Sequence, residues 1–98
     1  MTINKTANGN ELTIALEGRL DTTTAPQLDD ELKTALDGVA KLEFNFEKLE
    51  YISSAGLRVL LAAQKTMNKQ GSMVVAHPNE VISEIFEVTG FCDILTIE

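Results

Sequence analysis

Two segments of the chain alternate between apolar and polar residues, the pattern typical of half-buried β-strands. Asn8-Gly9-Asn10 comes before the first segment and predicts a hairpin turn after an opening strand, because Gly and Asn tolerate positive φ. Gly18 is expected to end that first segment, and residues 47–52 are expected to form a connector after the second. The apolar positions on one face are Leu12, Ile14 and Leu16 in the first segment and Leu42, Phe44 and Phe46 in the second.

Three further segments repeat apolar residues at intervals of three and four, which predicts amphipathic helices. The threonines at 22–24 can cap the first helix, and Pro26 suits its first turn because a missing N–H costs little there. Gly38, Gly71 and Gly90 mark the three helix ends. The repeated positions are Ala25, Leu28, Leu32, Ala35 and Leu36, then Leu57, Leu60, Leu61, Gln64, Met67 and Asn68, and finally Val81, Ile82, Ile85 and Phe86.

Two short apolar segments complete the predicted order of elements. Residues 73–76 read as a strand covered on both faces, and Ile94, Leu95 and Ile97 read as a final strand. The order is therefore β-β-α-β-α-β-α-β over a single domain, residues 1–98. Strands that alternate with helices after an opening hairpin predict an α/β fold. We expect a mixed, mostly parallel sheet of about five strands, with three helices mainly on one face.

The charge of the chain narrows the classes of partner. The formal net charge is −7 with no basic run, so nucleic acid and anionic membrane surfaces are not expected to bind. No apolar run is long enough to span a bilayer, and we expect a cytoplasmic protein. The single cysteine, Cys92, is expected to be buried, and it allows neither an internal disulfide nor a metal cluster. Neither a phosphate-binding glycine loop nor a hydrolase Gly-X-Ser-X-Gly elbow is present, and no cofactor is expected.

The most informative residues for function are Ser53 and Ser54, which stand where an apolar segment gives way to a helix-forming run. A helix start presents unpaired N–H groups and the positive end of the helix dipole, so it suits an anion. A serine there either caps the helix or is esterified to a phosphate that the same N–H groups hold. The local sequence leaves both interpretations open.

Three stretches of the chain resemble the STAS domain, and more narrowly its stand-alone bacterial anti-sigma factor antagonists. They are residues 18–25 (GRLDTTTA), 45–57 (NFEKLEYISSAGL) and 88–91 (VTGF), in the family's order and spacing. The resemblance implies a binding protein without catalysis of its own. It implies that the unmodified protein binds an anti-sigma factor that is also a serine kinase, which releases the sigma factor. Phosphorylation by that kinase ends the complex, and a PP2C-type phosphatase resets it.

The resemblance implies that Ser54 corresponds to the serine that is phosphorylated in the family and that Gly56 is the glycine of the motif. Ser53 stands where the family usually has aspartate, and Ala55 stands where it often has serine or threonine. The change at Ala55 removes a competing hydroxyl, whereas the change at Ser53 removes a carboxylate and leaves Ser53 as the alternative acceptor.

The surface that binds the partner is predicted to include Asp21, Thr22, Thr23, Ser53, Ser54, Gly56 and Arg58. Asp21 is either a turn residue or a partner contact beside the acceptor loop, and Arg58 is a candidate counter-ion for the phosphate. We expect a monomer. The competing hypothesis is a constitutive STAS adaptor, a subunit of a transporter or sensory complex that is never phosphorylated at Ser54.

Overall fold

The computed structural model describes all 98 residues of the chain. Four strands and three α-helices alternate after an opening hairpin, in the predicted order up to the third helix. A 3₁₀ turn over Phe91–Asp93 follows that helix. The strands are β1 (Thr2–Asn8), β2 (Glu11–Leu20), β3 (Lys41–Ile52) and β4 (Ser72–Ala76), and the helices are α1 (Ala25–Ala35), α2 (Ser54–Gln70) and α3 (Glu80–Thr89).

The four strands form one mixed sheet in the order β1-β2-β3-β4. β1 and β2 pair antiparallel across the predicted hairpin turn, in which Gly9 has φ +64°. β2, β3 and β4 run parallel, and α1 and α2 make the two crossover connections between them. Because parallel strands end at the same edge, the loops that follow β2, β3 and β4 share one edge of the sheet.

One face of the sheet is buried and the other is partly open, as the alternating pattern predicts. Thr13, Ala15, Glu43 and Asn45 on the open face are only half-buried, which places the helices on the opposite face. The strand side chains on the covered face are buried in one apolar core with residues from all three helices. Those strand side chains are Leu12, Ile14, Leu16, Leu42, Phe44 and Phe46, whose side chains are at most 6% exposed.

The predicted fifth strand is reduced to a single bridge between Val75 and Ile97. Gly90 ends α3 with φ +79°, and a 3₁₀ turn over Phe91–Asp93 follows directly. The chain is therefore not extended where the expected strand would begin. Two backbone hydrogen bonds remain: Val75 N donates to Thr96 O at 2.9 Å and Glu98 N donates to Val75 O at 2.9 Å. The same turn holds Cys92 exposed, so the prediction that Cys92 is buried is wrong.

Two strands run further than the sequence predicts. β2 passes through Gly18, where φ is +101°, and continues to Leu20, and β3 continues through the expected connector to Ile52. The β2–β3 register shifts twice on the way, between Ala15 and Glu17 and again at Gly18. Such irregularities break the period of two that the sequence prediction relies on. Because β2 and β3 are paired up to Leu20 and Ile52, the segments that follow them begin next to each other.

Candidate phosphoacceptor site

The loop after β2 and the start of α2 lie side by side because the ends of β2 and β3 are paired. Leu20 stands opposite Ile52, and the backbone N–H of Ser53 donates to Leu20 O at 2.9 Å. The predicted residues Asp21, Thr22 and Thr23 follow directly after Leu20 in the first loop. The structure therefore brings the two predicted halves of the site to one edge of the sheet.

Ser53 is the N-cap of α2. Its backbone is extended, with φ −99° and ψ 176°, and Leu57 N donates to Ser53 O at 3.0 Å to close the first helical turn. Its hydroxyl accepts a hydrogen bond from Gly56 N at 3.4 Å, a long and therefore weak contact. The half-buried Ser53 side chain thus takes the capping role that the sequence left open between the two serines.

Ser54 is the first residue of α2, and its side chain is exposed. Its hydroxyl makes none of the side-chain hydrogen bonds that organise the neighbouring residues. It stands at the N-terminal, positively polarised end of a helix of 17 residues. A phosphate ester formed there would stay in solvent and lie close to N–H groups of the first helical turn.

Gly56 lies beneath this surface rather than on it. A Cβ atom at this position would come 2.7 Å from Leu20 Cγ, 2.8 Å from Ile52 Cγ1 and 3.0 Å from Leu20 O. Real Cβ atoms do not approach other atoms so closely, so only glycine lets the first turn of α2 rest on the ends of β2 and β3. The contribution of Gly56 to the predicted binding surface is to hold Ser53 and Ser54 in place.

Asp21 organises the loop that faces Ser53. Its Oδ1 accepts hydrogen bonds from the Thr23 hydroxyl at 2.7 Å, from Thr23 N at 3.0 Å and from Thr24 N at 3.2 Å. These bonds lower the pKa of Asp21 below its usual range; the Thr23 hydroxyl has the largest effect, and desolvation opposes it. Asp21 is therefore a turn residue that keeps a negative charge at the edge of the site, while Thr22 and Thr23 are exposed.

Arg19 and Tyr51 border the Asp21 loop, and sequence reasoning missed both. The Arg19 guanidinium lies 4.7 Å from the centre of the Tyr51 ring, and Arg19 Nε lies 3.8 Å from Asp21 Oδ2. The pair arises because Arg19 stands opposite Tyr51 in the shifted register of β2 and β3. Only that register reveals the contact, since the two residues are far apart in the sequence.

Arg58 lies one helical turn after Ser54, on the same side of α2. It is exposed and takes part in none of the salt bridges of the chain. A guanidinium in this position is free to approach a phosphate on Ser54.

Groups that could hold a metal ion do not gather at this edge. The structure contains no cluster of three or more His, Cys, Asp or Glu side chains with suitable spacing. His77, the only histidine, is exposed in the loop before α3 and has a left-handed backbone with φ 58°. The helices offer no segment both long and apolar enough to cross a bilayer.

A family model described as "Mlab, STAS domain" matches residues 3–96. The chain belongs to the STAS family. Its relatives include the Bordetella bronchiseptica protein named "Putative anti-sigma factor antagonist BtrV", which is 35% identical over 88 residues, 88% of this chain and 76% of the relative. The Anti-sigma-B factor antagonist of Bacillus subtilis is 30% identical over 91 residues, 92% of this chain and 84% of the relative.

Solved structures confirm the predicted STAS fold. The anti-sigma factor antagonist SpoIIAA in its unphosphorylated form superposes with a TM-score of 0.77 at 19% identity, over 99% of this chain and 87% of that one. An anti-sigma factor antagonist from Mycobacterium paratuberculosis superposes with a TM-score of 0.87 at 20% identity, over 98% and 83% of the two chains. The fold of this STAS domain thus agrees with the expectation, apart from the missing fifth strand.

Proposed function

We propose that this STAS domain is an anti-sigma factor antagonist whose binding is switched by phosphorylation of Ser54. In its unmodified form it binds an anti-sigma factor that is also a serine kinase, and the sigma factor is released. The kinase then transfers the γ-phosphoryl group of ATP to Ser54 Oγ, ADP leaves, and the serine proton passes to a base of the kinase. A PP2C-type phosphatase hydrolyses the ester and restores binding. The domain acts as a cytoplasmic monomer and contributes no catalysis of its own.

The observation that carries the proposal is that the two serines have different environments and different hydrogen bonds. Ser53 caps α2 and is half-buried, whereas Ser54 is exposed and its hydroxyl is unused by the fold. An acceptor must leave its hydroxyl open to a kinase active site, and only Ser54 does so. The similarity to proteins named as anti-sigma factor antagonists supports the same role.

The size of the charge change explains why such a switch needs no refolding. Phosphorylation adds a charge of about −1.5 to −2 at an exposed helix start, where N–H groups and Arg58 can accommodate it. In the interface, however, the dianion replaces a neutral hydroxyl that faces the partner. Opposed like charges in an interface cost several kcal/mol, and each ~1.4 kcal/mol weakens binding about tenfold.

Phosphoryl transfer by the cognate anti-sigma kinase tests this proposal directly. Wild type, Ser54→Ala and Ser53→Ala are incubated with kinase and ATP, and the products are measured by intact mass and mapped peptides. We expect one phosphate on wild type and Ser53→Ala and none on Ser54→Ala. Phosphate on Ser53, or no phosphate on wild type while the kinase modifies a known substrate, would refute the assignment.

A constitutive adaptor is the second candidate, and the residue at position 53 favours it. Ser53 replaces the carboxylate that the family usually places beside the acceptor, and its hydroxyl is engaged with Gly56 N. In an adaptor, Ser54→Asp would leave binding to the stable partner complex unchanged. In the switch we expect the same substitution to weaken binding to the anti-sigma kinase at least about tenfold. Binding measurements on wild type and Ser54→Asp therefore separate the two functions.

A further inference from the structure

The exposed apolar surface of the domain is concentrated at its C-terminal end. The large apolar side chains that remain exposed are Val81 at 52%, Val88 at 77% and Ile94 at 47%, all within 14 consecutive residues. Single exposed apolar residues are ordinary when they are scattered over a surface. Their concentration in one segment is what indicates an interaction site.

Helical geometry joins Val81 and Val88 into one surface. Val81, Ile85 and Val88 are spaced by four and three residues, so they follow one another along the same side of α3. Ile85 is half-buried and links this side to the core, where Ile82 and Phe86 are fully buried. We call Val81, Ile85 and Val88 the α3 stripe.

The charged residues of α3 and of the segment after it are all of one sign. Every Asp, Glu, Lys and Arg after Lys69 is acidic, and none of these carboxylates forms a salt bridge. Helical spacing puts Glu80, Glu84 and Glu87 along the flank of the stripe that lies away from the core. The five acidic residues are Glu80, Glu84, Glu87, Asp93 and Glu98.

This combination of an apolar stripe and an unpaired acidic flank selects one class of partner. A second copy of the chain would bring carboxylates against carboxylates, and an anionic lipid surface would be repelled in the same way. A helix with an apolar face and Lys or Arg beside it would match both features. We propose that the α3 stripe is a docking surface for a basic amphipathic helix of a protein partner.

The proposed surface is built from different residues than the phosphoacceptor site, so it goes beyond the switch function. The stripe belongs to α3, whereas Ser53, Ser54 and Arg58 belong to the first turns of α2. Charge added at Ser54 lies at the start of a different helix. Binding at the stripe is therefore expected to be unaffected by Ser54→Asp, which is expected to weaken binding at the switch site at least about tenfold.

A designed peptide tests the docking surface in the full chain. The probe is a helical peptide of about 18 residues with leucines along one face and lysines beside them. Backbone amide shifts are recorded by NMR during titration, together with binding isotherms. We expect shifts concentrated in residues 80–95. We also expect at least about a tenfold loss of affinity in Val81→Ser/Val88→Ser and about a fivefold loss in Glu84→Lys/Glu87→Lys.

Matched variants separate the α3 stripe from general effects. Asp30→Lys/Asp37→Lys makes the same charge change at two exposed positions elsewhere, and a change of less than about twofold is expected. Thermal unfolding of each variant verifies that it is folded. The proposal is overturned by the absence of binding at millimolar peptide, or by equal binding of a peptide with Glu in place of Lys. It is also overturned by association of the domain with itself, or with phosphatidylglycerol vesicles, that Val81→Ser/Val88→Ser abolishes.

Discussion

The first turns of α2 and α3 are stabilised by different interactions, although the two helices begin in the same way. Each helix follows a parallel strand at the same edge of the sheet and opens on an extended N-cap residue. Asn79, the cap of α3, accepts from Ile82 N at 2.8 Å and donates its amide to Leu49 O at 3.1 Å and Glu50 O at 3.2 Å. The side chain of Ser53, the cap of α2, makes only the 3.4 Å contact with Gly56 N.

The two helix starts differ in what holds the first turn in place. At α3 both polar groups of the Asn79 side chain form hydrogen bonds within the domain, and the third helical residue is the buried Ile82. At α2 the cap is weak, the corresponding residue is Gly56, and the stability of the turn comes from close packing against Leu20 and Ile52. Packing therefore contributes more than capping to holding this turn, and the exposed Ser54 hydroxyl takes part in neither.

The largest expected effect comes from removing the close packing at α2. Gly56→Ala places a methyl group within 3.0 Å of Leu20 and Ile52 atoms, so the first turn must move away from the sheet. We expect a loss of about 1–3 kcal/mol in the free energy of unfolding, although helix propensity favours alanine. Urea denaturation measures it, with the exposed Ala62→Ser on the same helix as control. An unchanged midpoint would contradict the packing account.

Truncating the two caps compares them directly. Asn79→Ala loses a short cap and two hydrogen bonds to β3, and we expect it to cost about 1–2 kcal/mol. Ser53→Ala loses one long contact and is expected to cost about 0.5 kcal/mol or less. Both are measured by urea denaturation at the same pH. Equal losses would mean that the two helix starts are not as different as their hydrogen bonds suggest.

A negative charge at Ser54 is expected to act in the opposite direction. Ser54→Asp puts a carboxylate at the positive end of α2 and should stabilise the fold by about 0.3–1 kcal/mol. The gain should shrink as salt is added, because the side chain is exposed. Ser54→Asn, which carries no charge, is the control. Destabilisation by the aspartate would show that the site does not accommodate an anion.

Asp21 provides the smallest effect, a contribution to stability that is present at neutral pH and disappears in acid. Its pKa is lower in the folded chain than the usual 3.8, so its ionised form favours folding. This contribution is fully present above the pKa of the unfolded chain and is lost as the pH falls through the folded pKa. The stability difference between wild type and Asp21→Asn should therefore shrink below about pH 4. A difference that is the same at neutral and acidic pH would contradict the assignment.

The core faces of β2 and β3 could be predicted because they repeat with a period of two up to Leu16 and Phe46. From Phe46 onward the buried positions on β3 are three residues apart instead of two: the next ones are Leu49 and Ile52. The change follows from the register shift, in which Ala15 and Glu17 pair with Asn45 and Lys48, so β3 carries one extra residue. Periodicity alone cannot anticipate such a bulge, and the strand ends next to the site were missed for that reason.

The candidate site divides in a similar way. Ser53 and Ser54 could be found because a hydroxyl pair before a helical run is a local signal. The contact of Arg19 with Tyr51 depends on the pairing of two strands that are distant in the sequence. The burial of Gly56 depends on how closely α2 approaches Leu20 on β2. Neither can be read from local sequence. The burial of Cys92 was predicted from apolar neighbours in the sequence, yet the 3₁₀ turn directs this side chain outward.

The short pairing of Thr96 and Glu98 with Val75 has a practical consequence. These two backbone bonds occupy the outer side of β4, which would otherwise present free donors and acceptors to any extended chain nearby. Unprotected strand borders of this kind recruit other molecules and seed aggregation. Deleting residues 96–98 would thus be expected to lower the concentration at which the protein stays in solution, without changing Ser54.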